Sequence, residues 1–413
     1  MASAKKSICI ISYTPILSEP RVLRQAIYFF EKGYEIVLVG LRDKHINYLP
    51  YRVVGINFLK KQYSESVFAK LFRFSGRVLI YILNAIGLGL EQRYDLHYGN
   101  IHLENDITKD SFDIIICHDY ITAPLGIQLK NFTQNALLVI DCHEHFLSQN
   151  LSRSLIRNFF WYIKNGFFIK NFEKKMLKKA DFITTVSEGI SQALYRQYRL
   201  NSLPITVRSI VSYQQSAYHV VDKNKIRILY HGIIKPGRFL ENLIIAAAYL
   251  KNCYEIDIRG PGSAEYIKTL KDVASKIGVL HRINFLEPVS TEDLVKEASS
   301  FDIGYFVWDG IGIQQQYVLP NKFFEYIMAG LALCVSDLPE MSKIVKHYGL
   351  GLLIPNSSPE AIAKMLNSLS TEQIESFKKN SLKAAKELNW ELEAKKLDFL
   401  DNYLNRKSHV SRY

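Results

Sequence analysis

Short β-branched and aliphatic runs, each closed by a polar or glycine residue and followed by a stretch of helical spacing, constrain this chain's fold more than any other feature. In the first half they are Ile8–Ser12, Ile36–Gly40, Ile114–His118, Leu137–Asp141 and Phe182–Val186, with helical spacing over Pro20–Lys32. Strands alternating with helices predict a parallel sheet carrying helices on its faces. The rhythm breaks over Val207–Asn224, where Ser209, Ser212, Gln214, Gln215 and Ser216 dilute the apolar residues. It restarts with Arg227–His231, Glu255–Gly260, Ile283–Leu286, Asp302–Phe306, Leu333–Asp337 and Gly351–Ile354, with helices near Arg238–Leu250 and Pro320–Gly330. A chain of 413 residues, 48% hydrophobic, is long enough for two such cores. The expected division is residues 1–215, residues 216–386, and a closing segment 387–413. That segment opens with an amphipathic helix over Glu387–Leu404, whose stripe of Trp390, Leu392, Leu397, Leu400 and Leu404 needs a surface to cover it.

Charge is spread unevenly over this frame. Residues 1–210 hold 27 Lys+Arg against 17 Asp+Glu, and residues 211–413 hold 25 against 23. A basic first half fits a surface that meets nucleic acid or anionic lipid. The cations concentrate over Arg153–Lys179, at Arg153, Arg157, Lys164, Lys170, Lys174, Lys175, Lys178 and Lys179, with Phe159, Phe160, Trp161, Tyr162, Phe167 and Phe168 interleaved. Basic residues alternating with aromatics on a helix read as an interfacial segment on an anionic membrane surface. Leu71–Leu90, with Arg73 and Arg77, offers a second apolar face, and its uncharged part, Val78–Leu90, is too short to span a bilayer. The alternative is that both segments are helices of the first domain with their aromatics in its core. Without any recognised nucleic-acid motif, nucleic acid is not the expected partner. Five cysteines with no CxxC pair, and an N-terminus that enters a strand without a hydrophobic leader, predict a reduced, cytoplasmic setting.

In open parallel sheets, ligands sit at the carboxyl ends of the strands, so the polar residues ending these runs come first. His118-Asp119 ends one run, and Asp141-Cys142-His143-Glu144 ends another. His143 is expected to face a reacting group, and His118 and Asp119 to line the same place. His143-Glu144-His145 with His118 could also ligate a metal, but the HExxH spacing of a helical site is missing, and no metal is expected. In the second half, His231 begins a turn that reaches Gly237-Arg238, where free backbone N–H groups and a guanidinium suit a diphosphate. Arg259-Gly260-Pro261-Gly262 is another glycine turn, at which backbone can approach a ligand closely. Leu319-Pro320-Asn321-Lys322-Phe323-Phe324-Glu325-Tyr326 opens a helix with Lys322 and Glu325 three apart on one face. A carboxylate there could accept both ribose hydroxyls while the ammonium sits by the phosphates; an ordinary i,i+3 ion pair is the other reading. Neither GxGxxG nor GxxxxGK[ST] follows any strand, which argues against hydride transfer and P-loop hydrolysis.

Together these motifs resemble glycosyltransferase family 4, and particularly its bacterial members that build surface polysaccharides. Ser18-Glu19-Pro20-Arg21-Val22 is similar to the family's DPRV element, Asp141-Cys142-His143-Glu144-His145-Phe146 to its DxHExF stretch, and Pro320-Asn321-Lys322-Phe323-Phe324-Glu325-Tyr326 to its PNKxFEY helix. Glu173, Ala180-Asp181 and Thr185-Val186-Ser187-Glu188 resemble the pattern that closes the family's first domain. The resemblance implies the GT-B fold, two Rossmann-like domains facing across a cleft, with the C-terminal helix crossing back to the first. It implies a metal-independent, retaining hexosyltransferase without a cofactor, using a nucleotide-sugar donor and a lipid-linked or oligosaccharide acceptor at the inner face of the cell membrane. By this resemblance His143, Arg238 and Lys322 are catalytic. Gly237, Gly262, Glu325 and Glu287 bind the donor, while His118, Asp119, Glu144 and Arg21 are candidate sugar or acceptor contacts. Four positions depart from the pattern: Glu19 replaces the usual aspartate, Ile233 stands where a cation is usual, Arg238 replaces the usual lysine, and Tyr317 stands where a first glutamate is usual. A nucleotide-sugar 2-epimerase of the same fold, or a non-catalytic subunit of a polysaccharide assembly complex, are the alternatives.

Overall fold

The computed structural model describes residues 5–16, 19–41, 50–58, 78–99, 101–103, 105–133, 135–149, 151–152 and 154–410. Ser18, Arg73, Arg77 and Arg153 lie outside them. The chain forms two compact units, Met1–Val207 with Leu397–Tyr413, and Arg208–Lys396. The expected divisions at 215 and 387 therefore move. Ile210 and Val211 pack with the second unit's Phe323, Ile327 and Leu388, and the Trp390 N–H donates to the Val211 carbonyl.

In the first unit the strands are β1 (Ser7–Pro15), β2 (Glu35–Leu41), β3 (Arg52–Phe58), β4 (Ile101–Leu103), β5 (Ile114–His118), β6 (Leu137–Cys142), β7 (Phe182–Thr185) and β8 (Ile205–Thr206). They lie in the order β4-β3-β2-β1-β5-β6-β7-β8. The pairings are parallel apart from β3 with β4, which is antiparallel. Near-continuous apolar runs fit strands covered on both faces, and all five residues of β5 and all six of β6 are buried. Helix α1 (Pro20–Glu31) starts on a proline that cannot donate and needs no partner there; it buries Arg21, Val22, Gln25, Ala26 and Phe29 along one face. Four further helices matter to the site: α2 (Leu90–Tyr98), α3 (Asp119–Phe132), α4 (Leu155–Trp161) and α5 (Phe167–Leu177). Tyr162–Gly166 forms a π-helical turn between the last two.

The closing motifs of this unit are architectural. Asp181 accepts the Leu138 N–H at 2.7 Å, and Ser187 caps helix α6 (Glu188–Tyr198) by accepting the Ile190 N–H. Glu173 is buried and accepts the Tyr198 hydroxyl at 2.5 Å. Burial pushes its carboxyl up to about 8. A carboxyl raised in the fold contributes stability that is complete below its unfolded value of about 4 and is lost as the pH rises through the folded one. Thermal unfolding at about pH 5, 7 and 9 is expected to show a falling Tm. In Glu173→Gln, which keeps an acceptor for Tyr198 but cannot ionise, the fall is expected to flatten.

The second unit holds β9 (Ile226–His231), β10 (Tyr254–Arg259), β11 (Ile283–Leu286), β12 (Ile303–Phe306), β13 (Ala332–Ser336) and β14 (Gly351–Ile354), all parallel, in the order β11-β10-β9-β12-β13-β14. Helices α7 (Leu240–Ala246), α8 (Ala264–Lys276) and α9 (Asn321–Met328) follow β9, β10 and β12. Two apolar clusters cover the sheet, one around Ile228, Ile244 and Ile256, the other around Leu229, Phe324 and Val335.

The single helix expected over Glu387–Leu404 is broken. Asn389 prefers a cap to a helix interior, and its side chain accepts the Leu392 N–H at the start of a short turn, Trp390–Glu393. Glu393 is then anchored by both the backbone and the guanidinium of Arg208, at 2.8 Å and 2.6 Å. A 3-10 turn leads into α10 (Asp398–Val410), which belongs to the first unit. There Asp398 and Asp401 receive Tyr28, Lys32, Tyr34 and Lys6, and the Phe399 ring meets Phe182 edge-on at 4.9 Å.

Candidate functional site

Each sheet changes direction at one place. β1 is flanked by β2 and β5 in the first unit, and β9 by β10 and β12 in the second. At such a switch point the helices on either side of the carboxyl ends diverge and leave room for a ligand. Most of the sequence-selected residues gather at these two places; Glu287 does not.

In the first unit the strand register sets the arrangement. His118 and Thr184 are the cross-strand neighbours of Asp141 on either side. Arg21 reaches down from the first turn of α1 and binds Asp141 with two bonds, Nε at 2.7 Å and a terminal nitrogen at 2.8 Å; Gln25 and Thr184 add bonds of 2.8 Å and 2.7 Å. Asp141 is fully buried, which opposes its charge, but Arg21 and His143 outweigh burial and hold the carboxyl well below its ordinary value. Removing one partner from a buried pair of this kind costs about 3–5 kcal/mol, so the pair fixes what stands on it.

His118 and His143 stand on it together. His118 Nδ1 lies 2.7 Å from His143 Nε2, and both nitrogens are within 3.6 Å of Asp141. His118 is only 3% exposed, so it backs His143 rather than meeting a ligand itself. Burial and the neighbouring His143 charge hold its pKa well below the ordinary value. For His143, burial works against the charged ring, but Asp119 and Asp141 outweigh it and raise the pKa. Asp119 begins α3 with φ +62, a left-handed conformation that a non-glycine residue adopts only under constraint. Its carboxylate accepts the His143 backbone N–H at 2.8 Å, and burial pushes it up to about 6. Glu144 is half-buried and accepts from Gln149. His145 is turned away, bonded to Ser148 at 2.9 Å and Gln197 at 3.1 Å.

His118, Asp141 and His143 also form the one group among the described residues close enough to share a metal ion, their ligand atoms lying within 4.8 Å of one another. The donor set does not fit one well. Both Asp141 oxygens are engaged by Arg21, Gln25 and Thr184, one nitrogen of each ring is directed at the other ring, and a cation would sit beside the Arg21 guanidinium.

In the second unit Lys322, on the first turn of α9, extends over the Tyr230 ring at 4.1 Å and the Phe306 ring at 5.4 Å, at the ends of β9 and β12. Gly232 has φ +123, a conformation that favours glycine, and a Cβ there would lie 2.7 Å from the Lys322 ammonium and displace it. Among the described residues no carboxylate is within ion-pair distance of Lys322, and Glu325 is turned elsewhere. Burial, and then the charge of Arg238, lower the Lys322 pKa to about 7 against an upward pull from Glu325. Arg238 follows the open turn at Gly237, which has φ +81, and its guanidinium lies 5.1 Å over the Trp308 ring with a buried Nε that has no hydrogen bond. Two unpaired cations beside a glycine turn make a site for an anion of high charge.

Glu325 is buried at 8% exposure, with its carboxylate 2.7 Å from His231 Nε2. The approach is close but not along an N–H direction, and both His231 ring nitrogens lack an aligned hydrogen bond. The His231 ring lies against Tyr326, whose hydroxyl accepts the His231 backbone N–H at 3.0 Å. Gly262 forms a bridge with Ile234, tying the loop after β10 to the loop after β9. Glu287, just beyond β11, is exposed and joins none of these groups. Ile233 is 54% exposed and Tyr317 half-buried. His231, Tyr230 and Phe306 are additions to the sequence reading; the strand-end rule that selects His118 and His143 also reaches His231.

Residues 214–387 match the protein family described as glycosyl transferases group 1, a stretch within the second unit. An uncharacterized glycosyltransferase of Methanocaldococcus jannaschii is 22% identical over 272 residues, covering 62% of this chain and 65% of that protein. The chain thus spans just under two thirds of that curated relative. Among solved structures, the sucrose-phosphate synthase of Thermosynechococcus elongatus superposes with a TM-score of 0.70 at 15% identity, over 98% of this chain and all of that one. HepE of Anabaena, in complex with UDP and glucose, superposes at 0.61 with 12% identity, over 96% of this chain and all of that one. A lipopolysaccharide outer core galactosyltransferase, WaaB, superposes at 0.59 with 13% identity, over 96% and 99%. The fold is GT-B, and residues 214–387 match a group 1 glycosyltransferase domain.

Proposed function

We propose that this chain is a metal-independent, retaining hexosyltransferase that moves a sugar from a nucleoside-diphosphate donor to a lipid-linked glycan acceptor in surface polysaccharide synthesis. The observation that carries the reading is Lys322, an ammonium held over two aromatic rings beside Arg238 and Gly232 with no carboxylate among the described residues to neutralise it. Breaking a sugar–phosphate bond builds negative charge on the departing diphosphate, and fixed cations in a dry site stabilise that charge without a metal. The group 1 domain and the UDP in the HepE complex support a nucleotide donor. Glu325 accepts the ribose hydroxyls, with the buried His231 behind it. His143, charged through Asp119 and Asp141, presents an N–H to the sugar. Retention follows the family 4 resemblance.

Acceptor and location rest on the first unit. Among the described residues no helix is long and apolar enough to cross a membrane. The basic aromatic segment divides at the π-helical turn. Phe168 and Phe172 enter the core, whereas Leu155, Ile156, Phe159 and Phe160 on α4 are 83%, 72%, 62% and 65% exposed. An apolar face that large beside Arg157 and Lys164 suits a peripheral position on anionic lipid.

Titration calorimetry with UDP, GDP and ADP tests the donor side. Glu325→Ala is expected to weaken the preferred nucleotide about tenfold or more, the scale of hydrogen bonds to a charged group. Unchanged affinity in that variant would remove the ribose assignment.

A further inference from the structure

The first unit contains a second set of polar groups that the donor chemistry does not use. Arg93, on α2, is 7% exposed, and its guanidinium is stacked at 4.4 Å over the Tyr81 ring and 5.9 Å from the Phe168 ring. Its hydrogen bonds are long, 3.4 Å to the Lys164 carbonyl and 3.5 Å to Asn165 Oδ1, and its Nε has no partner. Among the described residues it meets no carboxylate. A buried guanidinium with an unanswered N–H is costly unless an anion completes it.

Two adjoining cavities, of about 400 Å³ and 240 Å³, share Arg93, His97 and Asn165 as walls. Lys164 closes the larger one, and burial followed by the charges of Arg93 and Lys164 holds His97 below its ordinary pKa. The smaller one is walled by Tyr120 and Phe146, whose rings meet edge-on at 4.8 Å. Tyr120 follows Asp119 in the chain and Phe146 lies three residues after His143, so the segments that wall this cavity also carry the His143 cluster. Lys164 and Asn165 belong to the π-helical turn, a distortion that tends to occur at functional sites. The chain segments that supply these walls also carry exposed apolar residues. Leu79, Ile82 and Ile86, on the stretch that carries Tyr81, are 55%, 62% and 72% exposed, and Ile163 beside Lys164 is 42% exposed.

We propose that this pocket binds the phosphate head of an amphiphilic acceptor, with Arg93 and Lys164 as its anion contacts and the surrounding apolar surface holding its hydrocarbon chain. The proposal deepens the acceptor reading above and rests on it. A guanidinium buried between aromatic rings, with a second cation at the cavity wall, suits a phosphate ester, and exposed apolar residues suit what that phosphate is attached to. A sugar borne on such a phosphate would then lie on the Tyr120–Phe146 side, toward His143.

The test uses the full chain, with farnesyl diphosphate below its aggregation limit, farnesol, inorganic pyrophosphate, and vesicles of phosphatidylglycerol and phosphatidylcholine. Farnesyl diphosphate is expected to bind more tightly than farnesol or pyrophosphate alone, and to raise the His97 pKa read by NMR of labelled histidine. Lys164→Ala, at an exposed position, and Arg93→Gln, checked for folding by its thermal transition, are each expected to weaken it about tenfold or more. Nucleotide binding, measured on the same samples, is expected to stay unchanged, which separates failure here from failure of the donor reading. Equal farnesyl diphosphate affinity in wild type and in both folded variants would overturn the proposal. So would binding to phosphatidylglycerol vesicles without binding to farnesyl diphosphate, which would make the surface a membrane dock only.

Discussion

Lys322→Ala is expected to lower turnover about 10²–10³-fold, the cost of removing one preorganised group that stabilises transition-state charge. The reasoning starts from its surroundings. The ammonium lies over Tyr230 and Phe306, is admitted by Gly232 and has Arg238 nearby. Burial and Arg238 bring its pKa to about 7, so near neutrality the unliganded lysine is only partly protonated. A diphosphate restores the charge by raising that pKa, and binding takes up a proton. Nucleotide affinity is therefore expected to be full below about pH 7 and to fall as the pH rises toward the pKa of the complex, by up to about tenfold per unit. Calorimetry in buffers of different ionisation enthalpy reads the proton directly, and Lys322→Ala is expected to abolish both the uptake and the pH dependence.

The second large effect is expected at His143. His143→Ala is predicted to reduce kcat about 10²-fold while leaving the donor Kd within a few-fold, because the ring acts on the reacting sugar rather than on the nucleotide. The ring's raised pKa sets the pH profile. The imidazolium form prevails below that pKa, so activity depending on it falls as the pH rises through it. Asp119 and Asp141 maintain the charge, with Arg21 opposing it and His118 in contact. His118→Asn is expected to move the profile and leave the donor Kd unchanged, a combination that loss of folding does not produce. Initial rates from about pH 5.5 to 9 check both variants.

Most of the frame was legible because long apolar runs and helical spacing are local signals. Each of the eleven runs named from sequence falls on a strand, and Pro20 and Pro320 mark the starts of α1 and α9. What escaped was short or peripheral. β3 reads Arg-Val-Val-Gly-Ile-Asn-Phe, with a charge and a glycine among its apolar residues; β4 has three residues and β8 two, too few to display a period. The break at Asn389 escaped because the apolar stripe runs on across it, although an asparagine before Trp390 is itself a capping signal.

For the site, strand ends picked out residues that the fold brings together but not their order of depth. His118 and His143 read alike in sequence, yet His118, paired with Asp141 across the sheet, is buried while His143 keeps its side chain 18% exposed. Lys322 and Glu325 share a helix face, as their spacing requires, but the strand end supplies each with a different neighbour: aromatic rings for Lys322, His231 for Glu325. Arg93 could not be found. It lies on a weakly patterned helix and gains its meaning from Tyr81 and Lys164, which tertiary packing alone brings to it.

The central claim is that a nucleoside diphosphate is held by fixed protein cations without a metal. Its most direct test is calorimetric titration of the full chain with UDP, GDP and ADP in the presence of EDTA, near pH 7.5, for wild type and Lys322→Ala. The account predicts that at least one nucleotide binds wild type with uptake of a proton and that Lys322→Ala binds it more weakly and without that uptake. Binding that requires an added divalent cation, or that is the same in Lys322→Ala, would contradict it.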